Sequence, residues 1–230
     1  MTATDWPIIT IDGPTSSGKG TIARAVARAL GWNLLDSGAL YRLVALSGAM
    51  RGLDPDDVKS HAALAAGMKV EFLTDADGAE RVLLAGEDVT RALRSEQTGQ
   101  GASRVAVWPA VRDALIERQQ AFVQAPGLVA DGRDMGTVVF PQAALKVFLT
   151  ASAEERAARR HKQLISKGSA ASLADLSREI AERDQRDSSR AIAPLKPASD
   201  AVILDSTGLP IQQVVARVLT LGRERDLWEV

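Results

Sequence analysis

The sequence contains no cysteine, which excludes disulfide bonds, thiolate metal sites and a cysteine nucleophile. An excess of charge of one sign is also missing, since 28 Lys and Arg residues against 29 Asp and Glu residues leave a net charge of −1. Binding to a nucleic acid polymer or to an anionic membrane through charge alone is therefore not expected. Any chemistry must come from oxygen and nitrogen groups.

Long hydrophobic runs are absent too. No 18 consecutive residues are apolar, and the N-terminal segment 1–7 lacks the basic stretch and apolar core of a signal peptide. We therefore expect a cytoplasmic protein with no membrane contact. The chain is 46% hydrophobic and 25% charged, a composition typical of folded rather than disordered proteins.

Short apolar runs alternate with longer helical patterns, which is the order that a parallel sheet with crossover helices requires. The candidate strands are residues 7–12, 32–35, 127–131, 145–150 and 201–205. After the helix that follows the first strand, further helical patterns cover residues 39–50, 109–123, 153–167, 173–187 and 210–222. Four strands end at or beside an aspartate, namely Asp12, Asp36, Asp131 and Asp205. The sequence thus predicts an α/β fold with its ligand at the carboxyl edge of the sheet.

One region interrupts the alternation. Two β runs, residues 70–73 and 81–84, flank a turn that contains Asp77 and Gly78, which predicts an antiparallel hairpin. Residues 54–88 carry nine acidic and three basic side chains, a solvated composition that favours an insertion. We expect a single domain over residues 1–230 with a small antiparallel subdomain at about residues 64–100.

The first strand leads into Gly-x-x-x-x-Gly-Lys at residues 13–19, followed by a helix. Glycines let the backbone wrap a polyphosphate with its N–H groups inward, and the lysine adds a positive charge. We predict that this phosphate-binding loop (P-loop) binds the phosphates of a nucleotide, which the resemblance given below implies to be ATP, through Gly13, Pro14, Thr15, Ser16, Ser17, Gly18, Lys19, Gly20 and Thr21. Gly20 stands where the common motif has Ser or Thr, so Thr21 is the hydroxyl candidate near Mg²⁺, and Asp131 is a second, direct or water-mediated, candidate.

Arginines are frequent between residues 154 and 190. The sequence spacing between Arg183, Arg186 and Arg190 is three and then four residues. The three side chains therefore share one helical face if the helix continues through Arg190. Converging guanidinium groups need an anion, and a migrating phosphoryl group is one. The alternative is that these arginines simply lie on the solvent-exposed face of a helix.

A second charged segment, Gly132–Gly136, places Arg133 and Asp134 between two glycines after an apolar run. This pattern predicts a sharp turn that presents charges to a ligand. The alternative is a structural turn with a local ion pair.

Five segments in order along the chain resemble the bacterial cytidylate kinases: 11–14 with 18–21, 35–39 with 41–42, 130–141, 182–184 and 190–195. The resemblance implies a P-loop kinase fold: a central five-stranded parallel sheet flanked by helices, the antiparallel β insert as the monophosphate-binding subdomain, and an Arg-rich helical lid at about residues 156–190. It also implies transfer of the γ-phosphoryl group of Mg·ATP to CMP, and to dCMP, with Mg²⁺ accompanying ATP.

The same resemblance implies the acceptor-binding residues Ser37, Arg42, Ser103, Arg112, Arg133, Asp134, Asp187 and Arg190. Of these, Ser103 and Arg112 match positions that contact the cytosine base, Asp187 matches the position at the sugar hydroxyls, and Arg42, Arg133 and Arg190 match positions at the sugar or the α-phosphate. The catalytic set implied is Lys19, Arg133, Arg183 and Arg186. The loop departs from the family's Gly-Pro-Ser-Gly-Ala-Gly because Ser16 replaces a glycine.

Two alternatives stay open at this point. Another small-molecule P-loop kinase would keep the loop and change the acceptor. A non-catalytic nucleotide-binding module would bind or hydrolyse ATP without consuming CMP, although the lid-like arginines argue against it. We expect a monomer whose partners are ATP and CMP or dCMP.

Overall fold

The computed structural model describes residues 6–74, 80–166, 168 and 170–228. Three features of the sequence analysis lie outside these residues: the segment 1–5, the Asp77–Gly78 turn and Lys167. The chain forms two compact units, a first unit of residues 1–36 with 120–230 and a second unit of residues 37–119. Among the described helices, none has both the length and the apolar character needed to cross a membrane.

In chain order the elements are β1 (Ile8–Asp12), α1 (Lys19–Leu30), β2 (Asn33–Asp36), α2 (Ser37–Met50), α3 (Val58–Gly67), β3 (Val70–Thr74), β4 (Glu80–Leu84), β5 (Glu87–Asp88), α4 (Thr90–Leu93), α5 (Glu96–Val105), α6 (Pro109–Gln120), β6 (Leu128–Gly132), a π-helical turn (Met135–Val139), β7 (Leu145–Thr150), α7 (Ala153–Ile165), α8 (Leu173–Ser188), β8 (Val202–Asp205) and α9 (Ile211–Arg223).

The first unit is built on a parallel sheet of five strands in the order β2-β6-β1-β7-β8. The five predicted strands are confirmed, and so is the α/β fold class. The register pairs Asp36 with Asp131 and Asp12 with Gly132. Because parallel strands end at the same edge, these aspartates lie together at the carboxyl end of the sheet, where open α/β sheets bind ligands.

Helix α1 packs its apolar face on this sheet. Ile22, Ala23, Val26 and Ala27 are buried, and Arg24 is only partly buried and Arg28 exposed, as the amphipathic spacing predicts. The core cluster also includes Ile9 and Ile11 of β1 and Val214 and Val218 of α9. This packing fixes the position of the segment between β1 and α1.

The second unit contains helices α2 to α6 and an antiparallel sheet in the order β3-β4-β5. The predicted hairpin is confirmed by the register from Val70–Leu84 to Thr74–Glu80, and β5 adds a third strand. The sequence did not predict α3, α4 or α5. Helix α5 contains two glycines, which are poor helix formers, but Ser95 caps its first turn by accepting a hydrogen bond from Thr98 N.

One prediction about the arginines is wrong. Helix α8 ends at Ser188 and Ser189 forms its C-cap, so Arg190 lies beyond the helix and does not share a helical face with Arg183 and Arg186.

Candidate active site

The P-loop connects the buried end of β1 to the first turn of α1. A Cβ atom at Gly13 would overlap the backbone oxygen of Leu149 on β7, so only glycine fits where the loop crosses the sheet. Gly18 has a φ of 92°, in the left-handed region that glycine adopts without strain. Two of the motif's glycines are therefore required by the backbone itself.

Ser16 adopts a left-handed backbone conformation although it is not a glycine. Its φ is 59°, which costs a non-glycine residue about 1–2 kcal/mol. The loop therefore makes a left-handed turn at the position where Ser16 stands in place of a glycine.

Lys19 is the centre of charge in the loop, and its Nζ donates a hydrogen bond to the backbone oxygen of Pro14 at 3.1 Å. Burial lowers the pKa of Lys19, and the charges of Arg133 and Arg183 lower it further, while Asp131 and Asp187 act in the opposite direction. Three predicted catalytic cations therefore lie close enough to interact electrostatically. Such a group of cations is suited to an anionic ligand of high charge.

Asp131 ends β6 next to the loop. Burial raises the pKa of Asp131, and Asp36 raises it further, while Lys19, Arg133 and Arg24 oppose the shift. A Cβ atom at Gly20 would lie 2.9 Å from Asp131 Oδ2. The carboxylate thus occupies the space in which the common motif places a hydroxyl-bearing side chain.

The residues that could meet Mg²⁺ are the two named from the sequence. Thr21 is exposed in the first turn of α1, and Asp131 is buried at the carboxyl edge. The described part of the chain holds no group of three or more His, Asp or Glu side chains suited to a metal ion. A cation brought in on the phosphates of a nucleotide needs only one or two protein ligands, so these residues fit that requirement.

Asp12 accepts backbone hydrogen bonds from the turn that follows β6. Asp12 Oδ1 accepts a hydrogen bond from Met135 N at 2.9 Å, and Oδ2 accepts one from Gly136 N at 2.8 Å. Burial raises the pKa of Asp12 to about 6; the two backbone hydrogen bonds and Lys19 oppose this shift, and Asp134 adds to it. Sequence reasoning used Asp12 only as a strand end, and no local pattern showed that it binds this turn.

Arg133 projects from the same turn, and its Nε donates to Asp187 Oδ2 at 2.8 Å. Arg190 donates to the other oxygen of Asp187, which is 1% exposed. Burial alone would raise the pKa of Asp187, but the charges of Arg133 and Arg190 outweigh it and hold the pKa below its usual value. The partner that the structure shows for Arg133 is distant in sequence, so the alternative of a purely local ion pair is not supported.

Arg186 differs from the other arginines of this region. It is exposed on α8, and its Nε donates to the backbone oxygen of Glu182 in the same helix at 3.4 Å. Its catalytic role stays a prediction.

The predicted acceptor residues divide between the units. Arg133, Asp134, Asp187 and Arg190 belong to the first unit, and Ser37, Arg42, Ser103 and Arg112 belong to the second.

Arg42 of α2 has a fixed position within the second unit. Its Nη1 donates to the backbone oxygens of Leu93 and Ser95, both at 3.0 Å. A Cβ atom at Gly99 would lie 2.8 Å from Arg42 Nη2, so a side chain at this position of α5 would displace the guanidinium group.

Ser103 and Arg112 are both buried in the second unit. Arg112 Nη1 donates to the backbone oxygen of Ala106 at 3.2 Å, and the guanidinium group lies 5.8 Å from the ring centre of Tyr41. Within the described residues the hydroxyl of Ser103 has no hydrogen-bond partner. A buried polar atom without a partner is costly, so this hydroxyl is suited to a ligand.

The family model of cytidylate kinase matches residues 9–224. A cytidylate kinase of Pseudomonas syringae pv. tomato is 60% identical over 222 residues, covering 96% of this chain and 97% of that protein. One from Azotobacter vinelandii is 58% identical over 221 residues, covering 96% of each. A solved gluconokinase structure from Sinorhizobium meliloti is 19% identical, with 96% of this chain and 94% of that chain covered and a TM-score of 0.47. The chain therefore belongs to the cytidylate kinase family.

Proposed function

We propose that this protein transfers the γ-phosphoryl group of ATP to CMP, and to dCMP, giving the nucleoside diphosphate and ADP. The family supplies the reaction, and one feature of the structure supports it: Arg133 and Arg183 are near enough to the glycine-lined P-loop to lower the pKa of Lys19. A chain that only bound nucleotides would not need two further partly buried guanidinium groups close to the lysine of the loop.

The donor side consists of residues 13–21. The backbone N–H groups of the loop and the start of α1 suit the β- and γ-phosphates, and Lys19 supplies a charge at their oxygens. Mg²⁺ bound with ATP would neutralise phosphate charge, and Thr21 and Asp131 are the residues that would hold it. The pKa of Lys19 is lowered in the free protein, and bound phosphates would raise it again because they favour the charged form.

Catalysis in this proposal depends on position and charge. The transferred group spreads negative charge over its equatorial oxygens, and Arg133, Arg183 and Arg186 are the residues proposed to stabilise it. The oxygen of the CMP phosphate attacks the γ-phosphorus as the bond to the ADP oxygen breaks. We propose no covalent enzyme intermediate, and an anionic phosphate nucleophile needs no general base.

The acceptor side is proposed from the remaining residues. Ser103 and Arg112 would read the cytosine base, Ser37, Arg42, Arg133 and Arg190 would bind the sugar or α-phosphate, and Asp187 and Asp134 would bind the sugar region. A buried hydroxyl and guanidinium matched to one base edge are left unpaired by another base. This supports a preference for cytosine over uracil.

The experiment is a coupled assay of ADP release with CMP, dCMP, UMP, AMP and GMP as acceptors. CMP and dCMP should be the best acceptors by kcat/KM, and Arg133→Ala should lower turnover by about 10³-fold, the scale of a lost transition-state arginine. Arg81→Ala is the matched control because Arg81 is about half exposed and pairs with Asp88 on the surface. Acceptor-independent ATP hydrolysis would indicate a binding module, and a better acceptor outside the cytosine nucleotides would indicate a different kinase.

A further inference from the structure

Arg156, in the first turn of α7, is a buried arginine to which the proposed reaction gives no role. It is 7% exposed, and its Nε donates to the backbone oxygen of Ala151 at 3.1 Å. Its Nη1 donates to the backbone oxygen of Thr15 at 3.2 Å and lies 2.6 Å from Asp184 Oδ2. One guanidinium group therefore contacts both the P-loop and α8.

The partner on α8 is placed next to Arg183. Asp184 Oδ2 forms the ion pair with Arg156, and Oδ1 of the same carboxylate is buried with no hydrogen-bond partner among the described residues. The Arg156 side chain is buried and the Asp184 side chain is partly exposed, so breaking the pair would leave the buried guanidinium charge without its counter-ion, which is unfavourable. The position of Asp184, and with it that of its neighbour Arg183, is therefore sensitive to where the guanidinium of Arg156 lies.

Arg159, one turn further along α7, provides a natural comparison. Its Nη1 donates to the backbone oxygen of Ser17 at 3.1 Å, so it contacts the same loop. Its other contacts go to Glu155 in its own helix, at 2.9 Å, and to the backbone oxygen of Ser206 after β8, at 2.6 Å. None of these contacts of Arg159 is to a residue of α8.

Because of the shape of the guanidinium group, the contacts of Arg156 depend on the direction of its partners as well as on their distance. A guanidinium group is planar and rigid, so the two partners of its Nη1, the Thr15 oxygen and Asp184 Oδ2, constrain each other's position, whereas a lysine ammonium is a point charge on a flexible stem. A shift of the Thr15 carbonyl when the loop closes on phosphates would thus be transmitted to Asp184. The charge of Arg183 already lowers the pKa of Lys19, so Arg183 lies within electrostatic reach of the loop.

We propose that Arg156 is a positioning residue that couples the P-loop to α8, so that phosphates bound in the loop fix the placement of Arg183. This inference rests on the proposed function, which gives Arg183 its role at the transferred group. It describes a coupling between two elements of the first unit.

The test measures amide hydrogen exchange in α8 with and without a saturating non-hydrolysable ATP analogue and Mg²⁺. In the wild-type protein the analogue should slow exchange in α8 about tenfold, because local opening becomes less favourable. Arg156→Lys should bind the analogue and lose this protection, whereas the control Arg159→Lys should keep it. Wild-type protein without protection, or Arg156→Lys with full protection, would overturn the proposal.

A double-mutant cycle adds a readout in catalysis. Arg156→Lys and Asp184→Asn should each lower kcat about tenfold with a smaller change in the KM for ATP, and the double variant should be no slower than the worse single one, since both break the same link. Additive losses would contradict the coupling.

The two proposals can fail separately. If the wild-type protein does not phosphorylate CMP, the proposed function fails while the exchange measurement still decides the coupling. If Arg156→Lys does not fold, Asp184→Asn takes its place in the exchange experiment, because it leaves the contact between Arg156 and the loop intact.

Discussion

Replacing Asp12 by Asn should lower the stability of the protein at acid pH, have a much smaller effect on stability at neutral pH, and slow catalysis. Burial raises the pKa of Asp12 from 3.8 to about 6, so the folded state holds the proton more tightly than the unfolded state does. The stability that this proton contributes is present below pH 3.8 and is lost as the pH rises through about 6. One pKa unit corresponds to about 1.4 kcal/mol, so the ionised carboxylate costs roughly 3 kcal/mol at pH 7.

Asparagine has the donor and acceptor of a protonated carboxyl group but no charge. Asp12→Asn removes the charge but leaves one of the two backbone N–H groups without an acceptor. Below pH 3.8 the variant should therefore be less stable than the wild type by about 1–3 kcal/mol, the cost of an unpaired buried donor. At neutral pH the gain of about 3 kcal/mol from removing the buried charge should offset this loss. Between pH 4.5 and 7.5 the difference in unfolding free energy should grow by about 2 kcal/mol in favour of the variant. Its amide cannot accept hydrogen bonds from both Met135 N and Gly136 N, so the turn that carries Arg133 should shift and kcat should fall about tenfold or more.

Urea unfolding followed by tryptophan fluorescence at pH 4.5 and 7.5, together with the ADP-release assay, measures both effects. Asp88→Asn is the control: Asp88 is exposed, and hydrogen bonds from Thr90 and then Arg81 lower its pKa to about 2. Because both its folded and unfolded pKa values lie below 4.5, its effect on stability should be the same at the two pH values. A difference in unfolding free energy between Asp12→Asn and the wild type that does not change with pH, or that moves against the variant as the pH rises, would refute the reasoning.

Three further outcomes are expected. Asp187→Asn removes the charge that Arg190 and the partly buried Arg133 share, so urea unfolding at pH 7 should show a loss of about 3 kcal/mol. Because the folded pKa of Asp187 is lowered, the deficit should shrink as the pH falls below 3.8, and a pH-independent deficit would contradict this. Gly20→Ser would push a Cβ atom against the carboxylate of Asp131, so ATP-dependent turnover should fall about tenfold, and unchanged turnover would show that the carboxylate moves freely. Ser16→Val should lower the unfolding free energy by about 1–2 kcal/mol because a β-branched residue resists the left-handed region, whereas Ser16→Gly should stay within about 1 kcal/mol of the wild type; equal midpoints for the two would argue against the strained conformation.

Local patterns in the sequence were enough to predict the strands of the parallel sheet and the position of the P-loop. Apolar runs gave the five strands, and the spacing of Gly13, Gly18 and Lys19 located the phosphate-binding turn, because both depend on residues within a few positions of each other. The helices that were missed, α3 to α5, are short or contain glycine, and they are held by a cap such as Ser95 and by packing rather than by intrinsic propensity.

The order of the strands and the partners of the charged residues came only from the tertiary structure. Nothing local shows that β6 lies between β2 and β1, or that Asp12 accepts hydrogen bonds from a turn 123 residues later. In the same way, Arg133 pairs with Asp187, which lies 54 residues away.

The amino-acid sequence thus determined the kind of fold, the P-loop and the list of charged residues. The folded structure decided which of those residues share a hydrogen bond or a counter-ion. The physical reason is that short-range geometry is encoded by neighbours in the chain, whereas pKa values and ion pairs depend on burial and distance, which only strand register and helix packing set.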